Sequence, residues 1–171
     1  MMLKQQIIAI TLLISHTLVV NAQALNSSSP SCILTSTQLQ KFPVDLKQFS
    51  GQVIYIDFWA SWCPPCAKSF PFLNQMHHRF QTQGLTVIGV NLDESFSDAK
   101  NFLEHYPADF MLATDDSKQC AKDFAVAAMP SSYLIDRQGM VRYAHVGFRA
   151  IDKPSLQAEI ESLLAEPIVV N

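Results

Sequence analysis

The chain has no surplus of basic residues: Lys and Arg number 12 against 15 Asp and Glu, a formal net charge of −3 over 171 residues. Without a basic stripe there is nothing to neutralise phosphates or an anionic lipid surface, so nucleic acid is not an expected partner. No apolar run reaches the roughly 20 residues that a spanning helix needs. The strongest, residues 7–20, is broken by Ser15, His16 and Thr17. Beside the one pair of close cysteines there is neither a second C-x-x-C nor a histidine cluster, which makes a zinc framework a poor reading. No internal repeat or low-complexity tract is present. With 49% hydrophobic residues, the length suits one domain around one sizeable core.

What is there begins with a targeting pattern. Lys4, the apolar run and the small-residue site Ala22-Gln23-Ala24 read as a signal peptide over residues 1–24, cut after Ala24. The expected mature protein is soluble, periplasmic or secreted, and without a stable membrane anchor. Cys32 lacks the apolar run and small residue directly before it that lipid attachment needs. Export puts Cys32, Cys63, Cys66 and Cys120 where disulfides form and persist.

Residues 25–45 read as a leader and N-terminal segment, with Ser-rich residues 26–31 flexible and order beginning near Cys32 or Ile33. A single domain is expected over residues 46–166. Residues 53–60 form a nearly continuous apolar, β-branched run, the pattern of a central strand covered on both faces, with Asp57 a lone carboxylate inside it. After Cys66 the spacing turns helical through Phe72, Leu73, Met76 and Phe80, with Pro71 as a kink and Gly84 as a stop. Residues 85–92 read as a second buried strand, giving a parallel strand-helix-strand unit with the cysteines at its first turn. A short helix over 97–105, a short strand over 110–113 and a helix over 117–125 follow. A hairpin pairs residues 132–135 with 140–146, and a last helix covers 153–164.

A cysteine at a strand-to-helix turn faces unpaired backbone N–H groups and the positive end of the helix dipole, both of which favour thiolate. Cys63 is therefore the expected attacking sulfur, and Cys66, one turn further in, the resolving one. An inert structural disulfide between them would close only a tiny loop and stabilise little. Pro64 and Pro65 stiffen the turn and delete backbone donors, so they tune the potential. Asp57, if buried, loses solvation when ionised, which raises its pKa into a range useful for moving protons. Cys120 fits a buried helix face or a second disulfide with Cys32, and spacing leaves both open. Trp59 reads as core and Trp62 as exposed, His77 and His78 as helix-surface residues.

The run Asp57-Phe58-Trp59-Ala60-Ser61-Trp62-Cys63-Pro64-Pro65-Cys66, with Pro71 five residues on and Met129-Pro130 before a late strand, resembles the thioredoxin superfamily. Trp62 to Cys66, residues 90–95, the extra helix and strand after them, and residues 133–136 resemble its TlpA/ResA-like branch, which works outside the cytoplasm. The likeness spans about residues 46–164. It implies an α/β thioredoxin fold, a central mixed sheet flanked by helices, with a helix-strand insert after the first βαβ unit. It implies a protein-disulfide oxidoreductase whose only redox group is the Cys63–Cys66 disulfide, without other cofactor or metal. Protein thiols and disulfides would be its substrates and a membrane protein its electron donor.

The resemblance also gives Asp57 the proton-acceptor role towards Cys66. It makes Pro130 a cis-proline that frees the Met129 backbone for substrate, and puts Trp62, Pro64 and Pro65 on the substrate surface. Two departures stand out. The branch often has Asn at position 57, and the Lys that accompanies this Asp in thioredoxins is replaced by Gly89. Glu94 sits where the branch carries a functional acid, so Asp57 and Glu94 are alternative relays, Glu94 otherwise being a solvated loop charge. The expected direction is reduction of substrates. Two rivals are a copper-handling protein using Cys63, Cys66 and His145, and a peroxidase, for which the Thr-x-x-Cys pattern is lacking.

Overall fold

Strand β3 (Val53–Trp59) is buried at every position, and the sheet is built outward from it on both sides. The computed structural model of the protein describes residues 25–37 and 43–168; the signal-peptide reading for residues 1–24 lies outside them. On one side β3 pairs in parallel with β4 (Leu85–Asn91), and β4 in parallel with β5 (Met111–Thr114). On the other it pairs antiparallel with β6 (Ser131–Ile135), which pairs antiparallel with β7 (Val141–Val146). Two short N-terminal strands, β1 (Ile33–Ser36) and β2 (Pro43–Asp45), complete a seven-stranded mixed sheet in the order β2-β1-β5-β4-β3-β6-β7.

Helices α1 (Pro64–Phe80), α2 (Phe96–His105), α3 (Gln119–Asp123) and α4 (Lys153–Ala165) connect and cover these strands. The expected architecture, including the helix-strand insert α2-β5, is thus present. Helix α1 starts with two prolines, whose missing N–H groups cost nothing at the first helical positions. It runs through Pro71 without interruption, and the chain then leaves through Gly84, whose φ of 95° is left-handed.

Alternation along β3 divides the core in two. Tyr55, Asp57 and Trp59 point to the face that carries α1, α2 and α4, where Trp59, Phe70, Phe102 and Phe110 pack with ring centroids 4.9–5.3 Å apart. Ile54, Ile56 and Phe58 point to the opposite face, against Phe124 and Tyr133, whose hydroxyl donates to the Phe124 carbonyl at 2.6 Å.

The expected leader needs correcting. The Asn26 N–H donates to the Val141 carbonyl at 2.6 Å, Ser29 N–H to Gly139 at 2.7 Å, and Ser28 bridges Met140, so this stretch is fastened to the β7 end. β1 begins at Ile33, where order was expected to begin, and its pairing with β5 brings the N-terminal segment into the sheet itself. Edge pairing is made by backbone groups, so polar residues with no apolar periodicity can take part. Cys32 and Cys120 form a disulfide, with Cα atoms 5.2 Å apart, that ties the segment before β1 to α3. Of the two readings left open for Cys120, this is the covalent one.

Candidate active site

Where β3 ends, the chain turns through Ala60, Ser61 and Trp62 into α1, and the turn presents Cys63 as the helix N-cap. The Cys66 N–H donates to Cys63 Sγ at 3.3 Å. Pro64 and Pro65 occupy the first two helical positions and have no N–H, so Cys66 supplies the first donor the helix can offer that sulfur. Cys63 and Cys66 are joined in a disulfide. Both are covered, at 3% and 0% exposure, so the attacking role expected of Cys63 rests on its helix position rather than on accessibility. Trp62 beside it is 67% exposed, and Trp59 is core, as expected.

The loop is held from behind by an acid that sequence reasoning did not single out. Asp93 accepts hydrogen bonds from the Ser61 N–H at 3.0 Å, the Ser61 hydroxyl at 3.0 Å and the Asn91 amide at 2.8 Å. Lys118, in a left-handed turn with φ 57°, donates its ammonium to the Leu92 and Asp93 carbonyls at 2.9 and 3.2 Å. Glu94, the neighbouring residue named as an alternative relay, is exposed on the same loop. The only signal that could have separated them is strand parity and distance from Asn91, which a loop does not preserve.

Asp57 is 2% exposed, and its Oδ2 is buried without a hydrogen-bond partner. Burial holds its carboxyl well above the usual carboxylate range. In the sheet it stands between Gly89 on β4 and Ser132 on β6. Gly89 brings no cation, and a Cβ there would come within 2.9 Å of Phe110 and 3.0 Å of Leu112. The departure noted in the sequence is therefore built into the packing: apolar side chains fill the space that a Lys would need. Tyr55, two residues before Asp57 on the same face, donates its hydroxyl to Ser132 Oγ at 3.0 Å.

The Met129–Pro130 peptide is cis, as the resemblance implied, and Pro130 is buried. Its carbonyl accepts from the Gly147 N–H at 2.7 Å, which locks the start of β6 to the end of β7. Met129 packs against the cluster that contains both Cys63 and Cys66. The copper-ligand set proposed from sequence does not assemble: His145 Nε2 lies 2.6 Å from Glu159 Oε2. Among the described residues no three His, Cys, Asp or Glu side chains converge on one point. His78 pairs with Asp109 at 2.8 Å on the exposed side of α1. Among the described residues no helix is long and apolar enough to cross a membrane.

The Redoxin family profile matches residues 24–160. Thiol-disulfide oxidoreductase ResA of Bacillus cereus (strain ATCC 10987 / NRS 248) is 31% identical over 117 residues, 68% of this chain and 66% of that protein. The chain thus spans just under two thirds of that relative's length. Among solved structures, a protein described as thiol:disulfide interchange protein DsbE from Chlorobium tepidum is 41% identical. The match has a TM-score of 0.78 and covers 82% of this chain and 98% of that one. The thioredoxin domain of a thiol-disulfide oxidoreductase from Bacteroides vulgatus shares the fold, with a TM-score of 0.71 at 24% identity, covering 82% and 98% of the two chains.

Proposed function

The chain belongs to the Redoxin family, and from that premise we propose that it is an enzyme exchanging disulfides with protein substrates through Cys63 and Cys66, outside the cytoplasm and in the reducing direction. The observation that carries this reading is the Cys63–Cys66 disulfide at the N-terminus of α1, with a buried, unpartnered carboxyl on the strand that leads into it.

In the reduced enzyme, the Cys63 thiolate attacks a substrate disulfide. A Cys63–substrate bond forms as the substrate S–S bond breaks, and the departing substrate sulfur takes the electron pair and then a proton from water. Cys66 then gives its proton to the Asp57 carboxylate, and its thiolate attacks Cys63 Sγ. The Cys63–Cys66 bond forms, the second substrate sulfur leaves as a thiolate, and the enzyme is left oxidised by two electrons. A protein donor at the membrane would return those electrons. Trp62, Pro64, Pro65, Met129 and Pro130 would form the surface against which the substrate lies, with the Met129 backbone offering it an extended partner.

Two features support the direction and the location. A strongly oxidising pair is one whose reduced form is stabilised, chiefly by donors to the thiolate. Here the prolines leave Cys63 Sγ with the Cys66 N–H as first donor, which favours the disulfide and lowers the potential. The Cys32–Cys120 bond belongs to an oxidising compartment.

The test is to equilibrate the full chain with a thiol redox buffer and to count alkylated Cys63 and Cys66 by mass spectrometry. A potential near roughly −270 mV is expected. One near roughly −120 mV would make the protein a disulfide donor. A pair that does not cycle would end the enzyme reading.

A further inference from the structure

A proton taken up by Asp57 has to leave again before the next turnover, and the carboxyl is 2% exposed. One side of it is closed. On β4 and β5 the neighbouring positions of the same sheet row are Gly89 and Leu112, and Phe110, Leu112 and the Trp59 indole fill the space over the glycine. The other side is polar. The row continues from Asp57 through Ser132 on β6 to His145 on β7, with all three side chains on one face. Directly opposed residues in an antiparallel pair have Cβ atoms about 5 Å apart, which sets Ser132 beside the carboxyl, whose Oδ2 makes no hydrogen bond in this state.

Tyr55 and Glu159 stand on either side of the next step. The Tyr55 hydroxyl donates to Ser132 Oγ at 3.0 Å, and the charges of Asp57 and Glu159 both act on it. Glu159, brought over the sheet by α4, meets His145 at 2.6 Å. The His145 and Glu159 side chains are 30% and 21% exposed, so this end of the file touches solvent. Tyr55 and Ser132 are both buried, and their hydroxyls are not needed for packing, since Phe and Ala would fill the same space.

We propose that Tyr55, Ser132, Glu159 and His145 form the path by which a proton passes between Asp57 and solvent, with the Glu159–His145 pair as its port. The inference rests on the exchange reading and on Asp57 as the acceptor for Cys66. Each hydroxyl both donates and accepts, and its O–H rotates to serve either direction. Asp57 gives its proton to the hydroxyl pair while that pair gives one to the Glu159 carboxylate. Glu159 and His145 then release it to water. The net change is one proton from Asp57 to solvent, with no ion left on the ring or the serine. The titratable and charged groups around the path are Cys63 and Cys66 from α1, Tyr55 from β3, Glu159 from α4, His145 from β7, and Asp152, whose charge acts with His145 just before α4.

The experiment mixes the reduced full chain with glutathione disulfide and follows two steps by acid quench and mass spectrometry: formation of the Cys63–glutathione mixed disulfide, then its resolution by Cys66. His145→Gln is the deciding variant because the residue is partly exposed, and Tyr55→Phe and Glu159→Gln extend the test inward. The second step is expected to slow at least about tenfold at pH 7 and above, while the first keeps its rate and added imidazole restores His145→Gln. Thermal unfolding of each variant checks that the fold is kept. A second step at the wild-type rate in His145→Gln and Tyr55→Phe overturns the relay, as does equal slowing of both steps that imidazole fails to restore. A wild-type chain that forms no mixed disulfide at Cys63 removes the exchange reading itself, and the relay with it.

Discussion

Asp57 is a carboxyl on a buried strand with no cation beside it, and that arrangement works against the stability of the protein. Its pKa is raised in the folded chain, so between the ordinary carboxylate range and that raised value the folded state binds more protons than the unfolded one. Stability therefore falls as pH climbs through that window, and the loss is complete above the folded value. Asn at this position has the same shape and no charge. We expect oxidised Asp57→Asn to be more stable than the natural chain at pH 8 by at least about 1 kcal/mol, a tenfold change in proton affinity being worth about 1.4 kcal/mol. The gap should close below about pH 4. Urea unfolding across pH measures it, and a variant less stable than the natural chain at pH 8 contradicts it. The sequence already exposed this residue, as a charge inside an apolar run. It did not expose Ser132, Tyr55 or Glu159, because a serine, a tyrosine and a helix glutamate are ordinary where they stand and become a group only through sheet register and helix docking.

At the scale of elements, the decisive one is the first turn of α1. A helix N-terminus ordinarily offers an N-cap sulfur several N–H groups, and the two prolines withhold the first two. Restoring one donor should stabilise the thiolate. A hydrogen bond to a charged group is worth about 1.5–3 kcal/mol, and about 1.4 kcal/mol corresponds to 30 mV for this two-electron couple. Pro65→Ala is thus expected to raise the Cys63–Cys66 potential by roughly 30–60 mV. Redox-buffer titration reads the shift, and an unchanged or lower potential would contradict the account. This element was legible because its signals are local: a buried strand, a C-x-x-C, prolines in the first turn and a helical period after it. The Asp93 strap was not, since it joins Ser61 to a residue 32 positions away across a loop, and Glu94 next to it carries the same carboxyl in the sequence.

Over the whole molecule, the sheet order is set by the parallel β3-β4-β5 core and finished by strands that arrive from the N-terminus. That finishing was the least legible part of the fold. Residues 33–36 and 43–45 have neither the length nor the apolar alternation that marks a strand, and they are held by backbone pairing and by one covalent link. Cys32 and Cys120 are 88 residues apart in sequence, so their bond closes a long loop and should constrain the unfolded chain strongly. Replacing both by Ala is expected to lower stability by about 3–5 kcal/mol while the Cys63–Cys66 pair keeps its exchange rate with glutathione disulfide. Urea unfolding and the quench assay report the two quantities separately. A variant that loses exchange under conditions where it stays folded would show the second disulfide to be part of the chemistry.

The two disulfides lie in different apolar clusters, Cys63–Cys66 over one face of the sheet and Cys32–Cys120 over the other. Four cysteines can pair in three ways, and two of those would use up Cys63 and Cys66 in permanent bonds. Thiol exchange needs a sulfur to approach another in line, and here a continuous hydrogen-bonded sheet stands between the two pairs. In the proposed exchange, the folded chain would open and close one bond without shuffling the other. The sheet that supports the active site also works as an insulating wall, keeping the working sulfurs and the structural ones on separate circuits within a single chain.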